Sequence, residues 1–257
     1  MLAGRVHFLP DAVEPVELRG GAAIAIDVLR ATTTICYALA SGAREVRPCL
    51  EVDDARRLAE SLGRGPCVLG GERGGVRIDG FDCGNSPAEF TSERVAGKTL
   101  VFTTTNGTRA IAACLSAERA LLAAMCNVSA VCREVRRWPG PLDIVCAGTN
   151  GSPTREDVLA AGAIVDRLSS GPEQMWQWSD EALLARDAWR GVAFAADFPA
   201  SVVAALRESR GGSNLVELGY HADIVAAARV DALDVVPMVL AEGDAVRIVV
   251  RPTPPSA

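Results

Sequence analysis

Short apolar runs that alternate with amphipathic stretches constrain the fold of this chain more than any other feature. The apolar runs are typical of buried strands and lie at 22–26, 46–50, 67–69, 99–102, 120–125 and 142–146. Helical patterns follow them, either ending near 42 and 115 or spanning 53–62, 128–137 and 156–168. Strand–loop–helix units of this kind predict an α/β fold with three layers, α/β/α.

The last third of the chain departs from this alternation. From residue 180 onward the pattern is mainly helical, with a predicted interruption at 211–213 and a late strand at 246–250. No linker divides the 257 residues, so we expect one unit over 1–257, or two closely packed lobes. The tail at 252–257 is predicted to be disordered.

Charge and apolar patterning argue against several classes of partner. The net charge of −6 argues against a general nucleic-acid surface. No apolar run approaches the roughly 18 residues that a membrane span needs, and the first residues lack the apolar core of a signal peptide. None of the eight cysteines forms a Cys-x-x-Cys pair, so we expect buried, reduced thiols in a cytoplasmic protein. A homo-oligomer is compatible with the sequence.

Two residue types are scarce, and this restricts the chemistry. His7 and His221 are the only histidines, which disfavours a His-rich zinc site or a histidine-dependent phosphatase. Lys98 is the only lysine among the 26 Lys and Arg residues. Any anion site must therefore depend on arginine, backbone N–H groups and metal ions.

Three loops between a strand and a helix carry polar side chains where an α/β sheet usually binds its ligand. Ligands bind beyond the carboxyl ends of the strands, and the N-termini of helices attract phosphate. The candidates are Asp27, Arg30, Thr32 and Thr33 in the first loop; Thr104, Thr105, Asn106, Gly107, Thr108 and Arg109 in the second; and Thr149 and Asn150 in the third. Such residues also cap helices, as Thr154 with Asp157 would do in a capping box. Three such loops together predict an anion site, with Gly107 permitting close backbone approach.

The segment 71–92 is rich in Gly, Asp and Asn and predicts a long functional loop. It contains Glu72 and Asp82, with Asn85 and Ser86 as further oxygen ligands or donors. Magnesium takes carboxylate oxygens, and a phosphatase without His or Lys needs such an ion to neutralise phosphate and activate water. The alternative interpretation is a solvated acidic loop.

Five motifs resemble the signature blocks of the 2-phosphosulfolactate phosphatase family. They are Asp-Val-Leu-Arg-Ala-Thr-Thr at 27–33, Gly-Glu-Arg-Gly at 71–74, Gly-Phe-Asp-Cys-Gly-Asn-Ser-Pro at 80–87, Thr-Thr-Thr-Asn-Gly-Thr at 103–108 and Cys-Ala-Gly-Thr at 146–149. The resemblance extends in order from about residue 25 to 237. It implies an α/β fold and magnesium-dependent hydrolysis of the phosphate ester of a small anionic 2-hydroxycarboxylic acid. The best match among such substrates is 2-phosphosulfolactate, whose product sulfolactate enters coenzyme M biosynthesis in the family's best-known setting.

This resemblance and the residue chemistry together lead to explicit expectations for the site. We expect Asp27, Glu72 and Asp82 to bind magnesium, and Asp27 or Asp157 to serve as a base. The expected catalytic residues are Asp27, Arg30, Glu72, Asp82 and Asp157. The expected substrate-binding residues are Thr32, Thr33, Arg73, Asn85, Ser86, Thr104, Thr105, Asn106, Gly107, Thr108, Arg109 and Thr149.

A different phosphatase chemistry is also open at this stage. Cys67 and Arg73 fit the Cys-x-x-Gly-x-x-Arg loop of cysteine-dependent phosphatases, in which a thiolate attacks phosphorus. Pro66 stands where such loops carry His, and Gly74 where they carry Ser or Thr. An aspartyl-nucleophile mechanism needs Asp-x-Asp after the first strand, and Leu29 occupies the second Asp position.

The remaining alternative is a protein that binds a phosphorylated metabolite without hydrolysing it. Glu72 and Asp82 argue against this function, because carboxylates weaken anion binding unless a metal ion bridges them.

Overall fold

The strands and helices alternate along most of the chain in this computed structural model, which describes residues 1–63, 65–171, 175–243 and 245–250. The strands are β1 (Leu2–His7), β2 (Ala22–Ile26), β3 (Glu45–Pro48), β4 (Cys67–Arg73), β5 (Val76–Arg77), β6 (Thr99–Thr103), β7 (Arg119–Ala123), β8 (Leu142–Cys146), β9 (Trp176–Trp178), β10 (Pro237–Glu242) and β11 (Ala245–Val250). The helices are α1 (Ala31–Ala40), α2 (Val52–Leu62), α3 (Ser92–Val95), α4 (Gly107–Ala113), α5 (Val128–Val135), α6 (Arg155–Ser169), α7 (Asp180–Ala193), α8 (Ala200–Arg207), α9 (Arg210–Glu217) and α10 (His221–Ala227). The predicted disordered tail at 252–257 lies outside the described residues.

The strands form one sheet in the order β5-β4-β6-β3-β11-β10-β7-β2-β8-β1-β9. β4, β6 and β3 run parallel to one another, and so do β7, β2, β8, β1 and β9. The hairpin of β10 and β11 joins these two parallel groups and is antiparallel to the strand on either side of it. The sheet is therefore mixed, with two parallel groups around a central hairpin.

Helices cover both faces of the sheet, which confirms the predicted three-layer α/β/α fold. Ile24 and Ile26 of β2 point into a core cluster shared with helices α5 to α10. Ala23 and Ala25 of the same strand point the other way, into a cluster with α1 and α4. This alternation is the period-two pattern of a strand buried on both faces. The helix-rich C-terminal part forms the first of these layers.

The sequence predicts some elements closely and misses others. The predicted strands at 22–26 and 142–146 coincide with β2 and β8, and the late strand overlaps β11. β1, β9 and β10 were not predicted.

No helix among the described residues is long and apolar enough to cross a membrane.

Two local predictions need correction. The segment 71–92 is not one loop, because β4 continues to Arg73 and pairs with β5 as a hairpin. Its two-residue turn is Gly74-Gly75, where both φ angles are positive, and this pair of conformations favours a tight hairpin turn. The predicted interruption at 211–213 lies inside α9, because the Ser209 hydroxyl accepts a hydrogen bond from the Gly212 N–H and caps that helix.

Candidate active site

A cavity of about 320 Å³ lies where loops that follow β2, β6 and β8 meet the C-terminal end of β4. Helix α9 closes another side with Asn214 and Glu217, together with Leu218, which follows the helix. Eight of the candidate residues line this cavity: Asp27, Arg30, Glu72, Asn85, Thr105, Asn106, Thr149 and Asn150. A pocket of this size suits a small molecule.

Asp27 is the carboxylate at the end of β2, and it is buried with 6% of its surface exposed. Its Oδ1 accepts a hydrogen bond of 3.1 Å from the N–H of Ala31, in the first turn of α1. Gly107 approaches from the second loop, where a Cβ atom would lie 2.7 Å from Asp27 Oδ2. A side chain at Gly107 would therefore displace this carboxylate. Gly107 does not line the cavity, and its expected close approach to a bound anion stays a prediction.

The threonines that follow Asp27 hold the loop and do not line the cavity. The Thr32 hydroxyl lies 2.8 Å from the carbonyl oxygen of Asp27 and 2.7 Å from that of Ala123 on β7. The Thr33 hydroxyl donates to the carbonyl of Val28. Both side chains are fully buried, so these hydroxyls set the path of the chain around Asp27.

Several buried carboxylates surround the cavity, and their mutual repulsion shapes its electrostatics. Burial raises the pKa of Asp27 to about 7, and repulsion by Glu72 and Glu156 adds to this, although the Ala31 N–H and the Arg30 guanidinium oppose it. Burial also raises the pKa of Glu156. Glu156 lies behind the cavity wall, where a Cβ on Gly211 would be 2.1 Å from its Oε1.

Glu72 joins the β4–β5 hairpin to the second loop. Its Oε1 accepts a hydrogen bond of 2.8 Å from the Thr105 N–H, and its Oε2 accepts one of 2.7 Å from the Gly75 N–H. The Thr105 hydroxyl also donates to Oε2, at 3.3 Å. These donors fix the Glu72 carboxylate at the cavity wall, facing the same space as Asp27.

Arg30 is the only Lys, Arg or His side chain that lines the cavity within the described residues. Its NH1 group donates to Asp223 Oδ2 at 2.7 Å, and its NH2 group donates to the Gly75 carbonyl at 2.8 Å. The Tyr220 ring covers the guanidinium, with Arg30 Cζ 4.3 Å from the ring centroid. Asp223 and Tyr220 were not predicted, because they lie about 190 residues further along the chain in a helical region without a recognisable motif.

The predicted segment 80–87 reaches the site through Asn85 and Ser86. Asn85 lines the cavity, and its buried Oδ1 has no hydrogen-bond partner among the described residues. Its carbonyl oxygen accepts a hydrogen bond from Thr34 of α1, which anchors this segment beside the first loop. The Ser86 hydroxyl donates to Asp223 Oδ1 at 2.6 Å.

Two of the expected acidic residues do not line the cavity. The Asp82 side chain is exposed, and its Oδ2 accepts a hydrogen bond from the N–H of Leu69 on β4. Asp157 is buried, and its carboxylate accepts hydrogen bonds from the N–H groups of Val28 and Gly148 and from the Thr154 hydroxyl. Asp157 thus ties the loops after β2 and β8 together. The structure brings Asp27 and Glu72 to one cavity but leaves Asp82 and Asp157 outside it.

Two expected arginines also point elsewhere. Arg73 donates to the carbonyl oxygens of Glu72 and Leu50 and to the Thr103 hydroxyl. Arg109 is exposed and lies 3.4 Å from Asp11. Neither lines the cavity, so Arg30 is the arginine that the structure places there.

Thr104 and Thr108 are buried inside the second loop. The Thr104 hydroxyl accepts a hydrogen bond from the Thr108 N–H, and the Thr108 hydroxyl donates to the Thr104 carbonyl. This pair shapes the turn that leads into α4. Thr105 and Asn106 lie between Thr104 and Thr108 in the sequence, and they are the residues of this loop that reach the cavity.

The cysteine-dependent alternative requires Cys67 and Arg73 to lie around one phosphate-sized loop. They are instead the first and last residues of β4, which is a single extended strand. At about 3.3 Å per residue, the two ends are roughly 20 Å apart. This alternative is therefore wrong, because the chain between Cys67 and Arg73 is extended and cannot enclose a phosphate.

The donor set of the cavity fits a hard cation. Among the described residues, no three Asp, Glu, His or Cys side chains converge as a metal-binding group. Magnesium commonly uses one or two carboxylates together with waters and substrate phosphate. Asp27 and Glu72 supply two carboxylates, and the unpartnered amide oxygen of Asn85 faces the same region.

Comparison with known proteins places this chain within one family. The sequence profile of the family described as 2-phosphosulpholactate phosphatase matches residues 7–242. A probable 2-phosphosulfolactate phosphatase of Symbiobacterium thermophilum is 42% identical over 230 residues, covering 90% of this chain and 95% of the relative. Similar proteins with the same description come from Caldanaerobacter subterraneus subsp. tengcongensis, at 37% identity over 88% of this chain and 91% of the relative, and from Synechococcus sp. (strain CC9605), at 41% over 90% and 94%.

The burial of Asp27 predicts a pH-dependent stability in the absence of metal. Its pKa of about 7 lies above the ordinary value of 3.8, so its stabilising contribution is complete below pH 4 and is lost as the pH rises through 7. The side chain in Asp27→Asn cannot ionise, so this variant does not lose stability at residue 27 as the pH rises. In EDTA, we expect the Tm of Asp27→Asn relative to the unsubstituted protein to rise between pH 5 and pH 8 by a few degrees, at about 2–4 °C per kcal/mol.

Calorimetry at both pH values checks this expectation. If the Tm difference between the two proteins is the same at pH 5 and pH 8, burial does not raise the pKa of Asp27 in the folded protein.

Proposed function

Because this chain belongs to the 2-phosphosulfolactate phosphatase family, we propose that it hydrolyses the phosphate ester of a small anionic 2-hydroxycarboxylic acid. The proposed substrate is 2-phosphosulfolactate, and the products are sulfolactate and phosphate. The observation that carries this proposal is the cavity in which buried Arg30 and the carboxylates of Asp27 and Glu72 face the same space. The eight cysteines, all among the described residues, form no disulfide bond, and we propose the cytoplasmic location expected from the sequence.

Arg30 is the proposed ligand for the anionic groups of the substrate. Its planar guanidinium binds phosphate, carboxylate or sulfonate oxygens with paired hydrogen bonds, which a lysine ammonium does not do. Asn106 and Thr149 add neutral polar groups to the same cavity. A multiply charged ester needs several fixed donors, because its charge must be stabilised while the P–O bond breaks.

The proposed cofactor is magnesium, held by Asp27 and Glu72 with the amide oxygen of Asn85 nearby. A substrate that carries several negative charges would otherwise meet the carboxylates of Asp27, Glu72 and Glu217 and a single guanidinium. When bound, the ion neutralises phosphate charge and acidifies water for attack. The protein's own contribution is to hold both carboxylates in place through the N–H groups of Ala31, Gly75 and Thr105.

The position of Asp157 argues against its expected role as a base. Both of its carboxylate oxygens accept hydrogen bonds from main-chain N–H groups, and it does not line the cavity. We therefore propose a supporting role for Asp157, in which it holds the loop that carries Asp27.

We expect the purified protein to release phosphate from 2-phosphosulfolactate when magnesium is present. EDTA should abolish the release and added magnesium should restore it, because the carboxylates of the cavity repel the unshielded ester. Steady-state kinetics on 2-phosphosulfolactate, phospholactate and phosphoglycerate identify the preferred ester. Binding of these esters without phosphate release would instead support the non-hydrolytic alternative, and full activity after exhaustive chelation would remove the metal from the proposal.

The variants Glu72→Gln and Asp82→Asn separate a cavity carboxylate from an exposed one. Each substitution removes one charge from the β4–β5 region while keeping the side-chain shape. Glu72→Gln should lower kcat/KM by about a hundredfold or more, the equivalent of roughly 3 kcal/mol of transition-state stabilisation. Asp82→Asn should stay within about threefold of the unsubstituted protein. A comparable loss in Asp82→Asn would show that the exposed carboxylate takes part in the reaction.

A further inference from the structure

The support of Arg30 comes from a part of the chain outside the recognised motifs. Tyr220 immediately precedes α10, and Asp223 lies in the first turn of that helix. Asp223 Oδ2 is 2.7 Å from Arg30 NH1, and the Tyr220 ring centroid is 4.3 Å from Arg30 Cζ. Arg30 and Asp223 are each 3% exposed, so this ion pair is shielded from water.

This arrangement restricts the Arg30 guanidinium from three directions. Asp223 holds one terminal nitrogen, the Gly75 carbonyl holds the other, and the Tyr220 ring covers one face. A guanidinium carries five N–H donors, so these two hydrogen bonds leave donors available for a ligand in the cavity. A side chain held in this way loses little rotamer freedom when the ligand binds.

Asp223 is itself held in a fixed position. The Ser86 hydroxyl donates to its Oδ1 at 2.6 Å, while its Oδ2 accepts from Arg30. Asn85, the neighbour of Ser86, lines the same cavity. Because a buried guanidinium without a partner is strongly destabilising, Asp223 also allows Arg30 to remain charged and buried before any ligand arrives.

From this geometry we propose that Asp223 and Tyr220 are positioning residues that orient Arg30 toward the anionic groups of the substrate. The inference rests on the proposed function and deepens it, since neither residue lines the cavity. Asp223 acts through Arg30 by charge and hydrogen bonding. Tyr220 acts through it by cation–π contact, for which the ring matters and the hydroxyl does not.

A second ion pair with a buried aspartate provides a control; its arginine side chain is 32% exposed, and His7 Nε2 also lies 2.8 Å from the Oδ1 of the same aspartate. Arg5 Nε and NH2 donate to Asp143 at 2.7 and 2.9 Å, and the Asp143 side chain is fully buried. Neither residue lines the candidate active site. Asp143→Asn should therefore lower the Tm but leave both KM and phosphate affinity within about twofold of the unsubstituted protein.

The test compares Asp223→Asn, Asp143→Asn, Arg30→Lys and the double variant Arg30→Lys/Asp223→Asn. It measures kcat and KM for 2-phosphosulfolactate, and the affinity for inorganic phosphate by titration calorimetry, both with magnesium. Asp223→Asn should raise KM and weaken phosphate binding by about tenfold or more, because Arg30 loses its orientation. The KM and phosphate affinity of the double variant should differ from those of Arg30→Lys by less than about threefold, because Asp223 acts only through Arg30.

Three results would overturn the inference. Unchanged kcat, KM and phosphate affinity in Asp223→Asn would show that Arg30 does not require Asp223 for its orientation. Effects of Asp223→Asn and Arg30→Lys that multiply in the double variant would show that Asp223 acts independently of Arg30. Equal changes in KM for Asp223→Asn and Asp143→Asn would indicate a general loss of structure.

Tyr220 provides a second route if Asp223→Asn does not fold. Tyr220→Phe keeps the ring and should leave KM unchanged, whereas Tyr220→Leu removes it and should raise KM by about threefold or more. Identical kinetics in the two variants would contradict the positioning role.

The two readouts also separate this inference from the proposed function. If the unsubstituted protein releases no phosphate, the proposed hydrolysis fails, and phosphate affinity alone then decides whether Asp223 positions Arg30. If it does release phosphate while Asp223→Asn matches it in both readouts, only the positioning role is lost.

Discussion

The burial of Asp27 beside the carboxylates of Glu72 and Glu156 is the constraint on which the rest of the site depends. Burial raises the pKa of Asp27 to about 7, and repulsion by the carboxylates of Glu72 and Glu156 raises it further. Main-chain N–H groups from Ala31, Gly75 and Thr105 offset part of it. A cation and the guanidinium of Arg30 supply the remaining compensation in the account proposed here. We therefore propose that the cavity binds its anion together with a metal ion.

This arrangement explains why segments distant in sequence converge on one point. The loop after β2 supplies Asp27 and Arg30, the β4–β5 hairpin supplies Glu72, and α10 supplies Asp223. Gly75 contacts two of them, because its N–H donates to Glu72 and its carbonyl accepts from Arg30. The hairpin therefore links the acidic and the basic sides of the cavity. A change in its turn would disturb both sides together.

The sequence predicts the part of this site that depends on local pattern. Alternating apolar runs predict the α/β layers, and polar residues at strand ends predict that Asp27, Thr105 and Thr149 meet, because ligand sites lie beyond the carboxyl ends of strands. Composition does not distinguish Glu72 from Asp82. The direction of Glu72 depends on the pairing of β4 with β5, whereas the direction of Asp82 depends on how the segment after β5 returns to the N–H of Leu69 on β4. Nor does it reveal Asp223, which reaches Arg30 across 193 positions of the chain through tertiary packing.

Diffraction from crystals grown with manganese in place of magnesium, together with inorganic phosphate, would show directly whether Asp27 and Glu72 bind the metal ion. Manganese prefers the same oxygen ligands, and its anomalous scattering locates it without ambiguity. We predict one manganese ion bonded to the carboxylates of Asp27 and Glu72, with a phosphate that contacts both the ion and Arg30. Manganese bound at Asp82, or phosphate bound away from Arg30, would contradict it.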